Sequence, residues 1–198
     1  MVSASVSAEK TVHLADLFNK AGKLKNPRKA FPIILKAAKN SELLGQALLG
    51  FCYIRGLGVA RNPREAVRWL SSAAVKGDAE SMFNLALIFE VGDGLPQDHR
   101  QALKWYLQAA RKGMPQAQTN LALMYLQGIG VRKRPLEGIA LLRKAAGRGH
   151  ARAMYNLGEA YASGAGGRRN RAAATRQYQK AAGLGDPDAR RRLRETGE

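Results

Sequence analysis

Apolar residues recur along the chain at the spacing of one face of an α-helix. The pattern places them at positions i, i+3, i+4 and i+7, which favours an amphipathic helix. One such set comprises Met82, Leu85, Ala86 and Phe89. A second set comprises Ala102, Trp105, Tyr106, Ala109 and Ala110. Glycine-containing segments such as Arg55–Val59 separate these stretches, so the pattern predicts pairs of helices joined by short loops.

The pattern repeats every 36 residues without insertion or deletion. Single glycines carry this interval at Gly77, Gly113, Gly149 and Gly185. Paired alanines begin at Ala73, Ala109, Ala145 and Ala181, and glycine pairs lie at 56/58, 92/94, 128/130 and 164/166. An aromatic side chain keeps the same register at Tyr53, Phe89, Tyr125 and Tyr161. A fixed period of this length is typical of tandem repeats that stack on their neighbours.

The predicted fold is therefore all-α, a right-handed superhelical solenoid of about five helix-turn-helix repeats. The second helix of a repeat is expected to begin after an N-cap residue, as in Asn26-Pro27, Asn62-Pro63 and Asp98-His99. Pro32 is expected to interrupt the second helix of the first repeat. The predicted segments are a disordered N-terminus at 1–6, a degenerate first repeat at 7–41, repeats at 42–77, 78–113, 114–149 and 150–185, and a capping helix with tail at 186–198.

The residues of these repeats resemble the Sel-one-like repeat family, which is related to the tetratricopeptide repeats. The resemblance is carried by Ala102–Gly113, Tyr125–Val131 and Ala153–Gly158 with Tyr161 and Gly164, and it covers about residues 42–186. Leu141 and Gln177 depart from the tryptophan found at Trp69 and Trp105, and the loop at 164–169 also departs, which suggests looser or end-capping repeats. The resemblance implies a scaffold or adaptor for other proteins and transfers no catalytic residue.

No constellation of residues points to catalysis. His13, His99 and His150 fall in separate parts of the repeat pattern, and Cys52 lies in an apolar helical pattern that favours a small buried thiol. The recurring glycine pairs reflect backbone geometry and not a nucleotide-binding loop, which would need a preceding strand. The acidic residues Glu80, Glu90, Asp93 and Asp98 are interpreted as solvated helix faces and an N-cap. We expect no enzyme activity, no cofactor and no metal.

The chain lacks an apolar run near the roughly 20 residues that a membrane helix needs, so no membrane span is expected. Residues Met1–Ala8 lack the features of a secretory signal, which predicts a cytoplasmic location, with a trimmed signal as the alternative. The expected state is a monomer.

The first helices of the repeats should line the concave side and form the partner-binding face. Apolar side chains occupy its variable positions, and Asn84, Asn120 and Asn156 recur between them, able to bond an extended peptide backbone. The alternatives are that the apolar residues only pack between repeats and that each asparagine bonds a neighbouring helix or loop. The candidate residues are Phe51, Phe83, Asn84, Leu87, Thr119, Asn120, Leu123, Tyr155 and Asn156.

The charge of +18, from 33 Lys and Arg against 15 Asp and Glu, favours acidic partners. Cationic residues cluster in the loops between helices, and stacking in register would align them as a basic edge that only the third repeat interrupts, at Asp93 and Asp98. The edge comprises Arg61, Arg64, Arg132, Lys133, Arg134, Arg168, Arg169 and Arg171. We expect a partner protein or peptide on the concave face, with electrostatic, sequence-nonspecific binding of nucleic acid as the alternative. The arginines of Ala189–Arg194 are interpreted as a solubilising cap, with a second basic patch as the alternative.

Overall fold

The computed structural model describes Leu14, Leu17 and residues 24–196, and that part of the chain contains ten α-helices and no β-strand. It forms two compact units, Met1–Asp98 and His99–Glu198, here called the N-terminal and the C-terminal unit. In the N-terminal unit the helices are α1 (Pro27–Lys39), α2 (Leu43–Arg55), α3 (Pro63–Val75) and α4 (Ala79–Val91). In the C-terminal unit they are α5 (His99–Arg111), α6 (Pro115–Gln127), α7 (Pro135–Ala146), α8 (Ala151–Ser163), α9 (Arg171–Gly183) and α10 (Pro187–Thr196).

Within each unit every helix packs against the next one along the chain. This arrangement confirms the predicted all-α class built from consecutive helix pairs. The predicted disordered segment at 1–6 and most of the first helix expected within 7–41 lie outside the described residues.

The predicted N-caps Asn26 and Asn62 start their second helices, and Asn170 does the same at the equivalent position of a later repeat. Asn26, Asn62 and Asn170 each accept a hydrogen bond from the backbone N–H three residues on, at 3.2, 3.2 and 2.9 Å. Such a bond satisfies one of the amides that a helix start leaves without an intrahelical partner. Arg134 stands at the same repeat position before α7 and makes no capping bond, so that helix begins without this contribution.

The first glycine of each pair ends the first helix of its repeat in the left-handed region. The φ angles of Gly56, Gly92, Gly128 and Gly164 are 67°, 73°, 79° and 74°. Each N–H bonds the carbonyl four residues back, which satisfies a carbonyl at the helix end. The glycines that close the second helices, from Gly77 to Gly185, also have positive φ, as the period predicts.

The second glycine of a pair allows its loop to touch the helix that begins about 31 residues earlier. A Cβ atom added at Gly94 would lie 2.6 Å from Pro63 Cγ, and one at Gly130 would lie 2.7 Å from the His99 carbonyl oxygen. Gly58 abuts Pro27 in the same way. Gly58 and Gly94, which are one repeat apart, therefore have equivalent surroundings in the N-terminal unit.

The core of each unit consists of small and large side chains that meet between helices. In the N-terminal unit Ala38, Leu49 and Cys52 are buried, and Trp69 packs against them. In the C-terminal unit Ala145 and Leu157 are buried in a corresponding cluster. The paired alanines that begin at Ala73, Ala109 and Ala145 are buried, which lets neighbouring helices approach closely.

The prediction that Pro32 interrupts its helix is wrong. Helix α1 runs through Pro32, which lies inside it with an exposed ring. A proline at this position removes the N–H that would bond the Arg28 carbonyl. Because Arg28 and Pro32 are exposed, the freed carbonyl lies on a solvent-facing side where water can satisfy it, and the helix continues.

Candidate partner-binding faces

The candidate residues of the N-terminal unit lie on two first helices, α2 and α4. The Phe51 side chain is exposed and the Arg55 guanidinium lies over its ring, 5.8 Å from the centroid. On α4, Phe83, Asn84 and Leu87 are half-buried. This part of the predicted face thus offers apolar surface beside a polar amide.

The asparagines of the C-terminal unit have different surroundings although they occupy one repeat position. The Asn120 Nδ2 donates to the Tyr106 hydroxyl at 2.9 Å, so for this residue the bond to a neighbouring helix is confirmed. Leu142 stands one repeat after Tyr106 and offers no acceptor to Asn156. Among the described residues the Asn156 Nδ2 has no hydrogen-bond partner.

Thr119 differs from the expectation of an accessible contact residue. Its side chain is 2% exposed. The hydroxyl donates to the Pro115 carbonyl at 2.8 Å and lies 2.9 Å from His150 Nδ1. A small hydroxyl side chain in a helix readily bonds the carbonyl four residues back, which turns it inward. Thr119 therefore holds neighbouring helices and is not part of an open face.

Tyr155 is half-buried between side chains of its own unit. Its ring lies 5.8 Å from the Tyr178 ring, and the Arg152 guanidinium lies 5.2 Å from its centroid. Burial raises the Tyr155 pKa, with a further contribution from the Glu159 carboxylate. The Glu159 carboxylate also accepts from the Tyr178 hydroxyl at 2.6 Å. These contacts fix the Tyr155 ring, and Asn156, the next residue of the predicted face, is also half-buried.

Two cations of the basic edge lie in the N-terminal unit. Arg61 forms an ion pair with Asp93, and its Nε donates to the Ile54 carbonyl at 3.0 Å. Arg64 is exposed. The Asp93 carboxylate therefore offsets the charge of Arg61, as expected for an interruption of the edge at the third repeat.

The C-terminal unit carries most of the exposed cations of the edge. Arg134 pairs with Glu137 at 3.3 Å and lies 5.9 Å from the Tyr125 ring centroid. The other cations of the edge in this unit lie in the loop before α7, in the loop between α8 and α9, and at the first residue of α9. They are exposed and have no ion-pair partner among the described residues. They are Arg132, Lys133, Arg168, Arg169 and Arg171.

The loop after α8 packs against the start of α7, which brings these cations to one side of the C-terminal unit. Gly166 abuts Ile139, and a Cβ atom added to it would lie 3.6 Å from Leu136 Cδ2. Residues 132–134 immediately precede α7, so the cations of both loops flank this contact. The packing of the two loops therefore supports the predicted basic edge within this unit.

Burial shifts the pKa of two chemically reactive side chains, Cys52 and His150. Burial raises the pKa of Cys52 to about 11, which keeps it a protonated thiol. Burial lowers the pKa of His150, opposed by the nearby Asp186 carboxylate. Within residues 24–196, Leu14 and Leu17, no three His, Cys, Asp or Glu side chains lie close enough to hold a metal ion. In the same range no helix is both long and apolar enough to cross a membrane.

A pocket that the sequence interpretation missed lies among α7, α8 and α9. Its volume is about 220 Å³, and Arg143, Tyr161, Gln177 and Lys180 line it together with apolar side chains. The signal in the sequence is Gln177, which replaces the tryptophan of the repeat and by itself suggests only a looser or end-capping repeat.

The fold is shared with several solved structures. A Sel1 repeat protein from Oxalobacter formigenes is 30% identical, with a TM-score of 0.81 over 92% of this chain and 73% of that one. A protective antigen of uropathogenic Escherichia coli strains, which displays an SLR fold, is 28% identical, with a TM-score of 0.78 over 85% of this chain and 36% of that one. An immunity protein from Pseudomonas aeruginosa shares the fold at 22% identity, with a TM-score of 0.58 over 92% of this chain and 67% of that one. A search of curated proteins found no match.

The repeat itself matches a family model four times in succession. The Sel1 repeat is found at residues 43–78, 79–114, 115–150 and 151–186. These matches confirm the resemblance seen in the glycine, alanine and aromatic positions. The chain belongs to the Sel1 repeat family, whose members generally mediate protein–protein interactions and are typically non-catalytic scaffolds.

Proposed function

We propose that this chain is a non-enzymatic adaptor that binds an acidic partner protein or peptide through the first helices of its repeats and its basic edge. The observation that carries the proposal is a group of exposed cations of the C-terminal unit that have no ion-pair partner among the described residues. They are Arg132, Lys133, Arg168 and Arg169 in the loops before α7 and α9, and Arg171 at the start of α9. A cationic surface without local counter-charges attracts an acidic partner and raises its association rate.

The first helices supply the short-range contacts of the proposed interface. Half-buried Phe83 and Leu87 offer apolar surface on α4, and Leu123 and Tyr155 do so on α6 and α8. An aromatic ring already fixed by its neighbours, as Tyr155 is by Arg152 and Tyr178, loses little conformational entropy on binding. These side chains provide the part of the interface that salt does not screen.

The amide of Asn156 supports recognition of an extended peptide. It lies next to Tyr155 and its nitrogen bonds no atom among the described residues. A small rotation of the side chain would let this nitrogen donate to a peptide carbonyl and so satisfy a group that is otherwise costly to bury. Asn120 is less suited to this role because its amide nitrogen already donates to Tyr106.

Affinity capture from the native host, with quantitative mass spectrometry, tests the proposal. The Phe83→Ala/Tyr155→Ala double variant should lose the proteins that the unchanged chain enriches, and Val75→Ala serves as the control because Val75 is 83% exposed at the end of a second helix. Circular dichroism checks that each variant folds. Capture that is equal for all three chains, or no enrichment over an unrelated basic protein, would contradict the proposal.

Charge-reversal variants test the role of the basic edge. Arg132→Glu/Arg168→Glu should weaken capture of acidic partners, and Lys144→Glu/Arg176→Glu should not, although the net charge changes equally. Lys144 and Arg176 are exposed cations of α7 and α9 outside the two loops. If the control pair weakens capture as much, binding follows net charge and not the edge.

The same exposed guanidinium groups favour nucleic acid as a second candidate partner. Such binding would be insensitive to sequence, because the edge offers charge and the half-buried Tyr125 and Tyr161 rings are engaged by Arg134 and Arg143. Titration of a labelled duplex at increasing salt should then show a steep loss of affinity, with a smaller slope for Arg132→Glu/Arg168→Glu. An affinity that is independent of salt excludes this mechanism.

A further inference from the structure

We propose that the pocket among α7, α8 and α9 binds the carboxyl terminus of a peptide whose last residue is apolar. The pocket belongs wholly to the C-terminal unit and has a volume of about 220 Å³. It uses neither the variable positions of the first helices nor the basic loops, so this inference goes beyond the proposed function.

The pocket exists because Gln177 does not fill the space that a tryptophan fills elsewhere. Positions 69, 105, 141 and 177 are equivalent, and they carry Trp, Trp, Leu and Gln. The walls of the pocket include Ala146, Leu157 and Tyr161. The equivalent residues three repeats earlier are Ala38, Leu49 and Tyr53, and Trp69 packs together with them in the core of the N-terminal unit. Gln177 is half-buried and lines the pocket, and its side chain is smaller than the indole ring that Trp69 places at the equivalent position.

Two cations stand at the edge of the pocket. The Arg143 Nε donates to the Tyr161 hydroxyl at 3.1 Å, and its guanidinium lies 5.9 Å from the Tyr161 ring centroid. These contacts hold the guanidinium in place while its two terminal nitrogens make no ion pair among the described residues. Lys180 lines the pocket from α9, also without an ion-pair partner in the described part of the chain. Among the described residues no carboxylate lines the pocket, so an anion there would meet two cations and no like charge.

The inner surface of the pocket is apolar. Leu157 is 3% exposed and forms its base, and the half-buried Met154 lines it beside Leu157. A thioether side chain adapts to ligands of different shape. A ligand that fits must therefore combine an anionic group with an apolar group only a few bonds away.

The carboxyl-terminal residue of a peptide has this combination. It carries a carboxylate and an apolar side chain on one Cα, whereas an internal aspartate or glutamate has no apolar group beside its carboxylate. The volume is below the roughly 300–1,000 Å³ of pockets for drug-sized ligands. A pocket of this size suits a group as small as a single residue. A planar guanidinium can also bind a carboxylate through two parallel hydrogen bonds.

Fluorescence polarisation with the full chain tests the inference. The probe is a short, labelled glycine-serine peptide that ends in leucine with a free carboxylate, and the comparison probes are its C-terminal amide and an amidated peptide that ends in glutamate. We expect the free carboxylate to bind and both amides to bind at least about tenfold more weakly. Equal binding of the leucine acid and its amide, or stronger binding of the glutamate peptide, would overturn the assignment.

Variants locate the binding to this pocket. Gln177→Trp restores the tryptophan of the repeat and should abolish binding of the leucine acid, and Gln177→Leu, the residue found at Leu141, provides a second filling variant if the first folds poorly. Lys180→Gln should weaken binding severalfold, whereas Lys144→Gln should not. Lys144 is the repeat equivalent of Lys180 and lies outside the pocket. Unchanged binding in the folded filling variants, or equal loss in both lysine variants, refutes the proposal.

Discussion

Gly130 and Gly149 allow the cost of a left-handed backbone to be separated from the cost of crowding. Both lie in the C-terminal unit, with φ angles of 67° and 81°. A Cβ atom at Gly130 would lie 2.7 Å from the His99 carbonyl oxygen, whereas one at Gly149 would meet no atom within 4 Å. The Gly149→Ala variant therefore carries only the backbone strain.

The expected magnitudes follow from these two environments. A left-handed conformation costs an L-residue about 1–2 kcal/mol, and replacing glycine recovers about 0.4–1 kcal/mol through the unfolded chain. Gly149→Ala should thus lower the free energy of unfolding by about 1 kcal/mol. Gly130→Ala adds the displacement of backbone at His99, and crowding of this kind costs a further 1–3 kcal/mol or so.

Urea unfolding followed by circular dichroism measures the difference between the two variants. Gly183→Ala is the matched control, because Gly183 lies in the last turn of α9 with open space around it, and it should stabilise the chain by up to about 1 kcal/mol. If Gly130→Ala and Gly149→Ala cost the same, the docking of each loop on the preceding helix contributes nothing and the reasoning fails.

Three further changes have expected outcomes. Arg134→Asn should raise the thermal midpoint, because it adds the N-cap bond that Asn170 makes in the next repeat. The gain of about 1 kcal/mol exceeds the loss of the exposed ion pair with Glu137, and an unchanged midpoint would show that the cap is not limiting. Ser41→Gly should raise the midpoint slightly, because Ser41 has a φ of 61° where later repeats have glycine, and a lower midpoint would contradict this. Cys52, with a pKa of about 11, should react with a thiol reagent at pH 8 only after urea unfolds the chain, and rapid labelling in buffer would refute its burial. Because the thiol of the unfolded chain ionises near pH 8.5, the free energy of unfolding should fall as the pH rises from there towards about 11.

The helical architecture could be predicted because it depends on features that repeat. Three features recur every 36 residues: the positive φ of the glycines, the N-caps at Asn26 and Asn62, and the burial of the paired alanines. Each copy therefore supports the interpretation of the others. Local chemistry explains why Pro32 could not be predicted in the same way. Its effect on α1 depends on whether water reaches the Arg28 carbonyl, which the sequence does not reveal.

The details of the candidate faces depend on pairs of positions and not on single ones. Thr119 occupies a variable position, yet its bond to His150 and its burial follow from a neighbour 31 residues away. Asn120 and Asn156 look alike in sequence, but only Asn120 has a tyrosine at the matching position. An interpretation of one helix at a time assigns both asparagines the same role.

The contact between a loop glycine and an earlier helix start restricts how the length of the chain can change. Gly58 meets Pro27, and Gly94 meets Pro63, each across the same separation of 31 residues. Inserting one residue between two such partners would rotate the intervening helix by about 100° and move its apolar side towards water. Adding or removing 36 residues together would restore every partner, so lengthening or shortening by whole multiples is the change that this architecture tolerates.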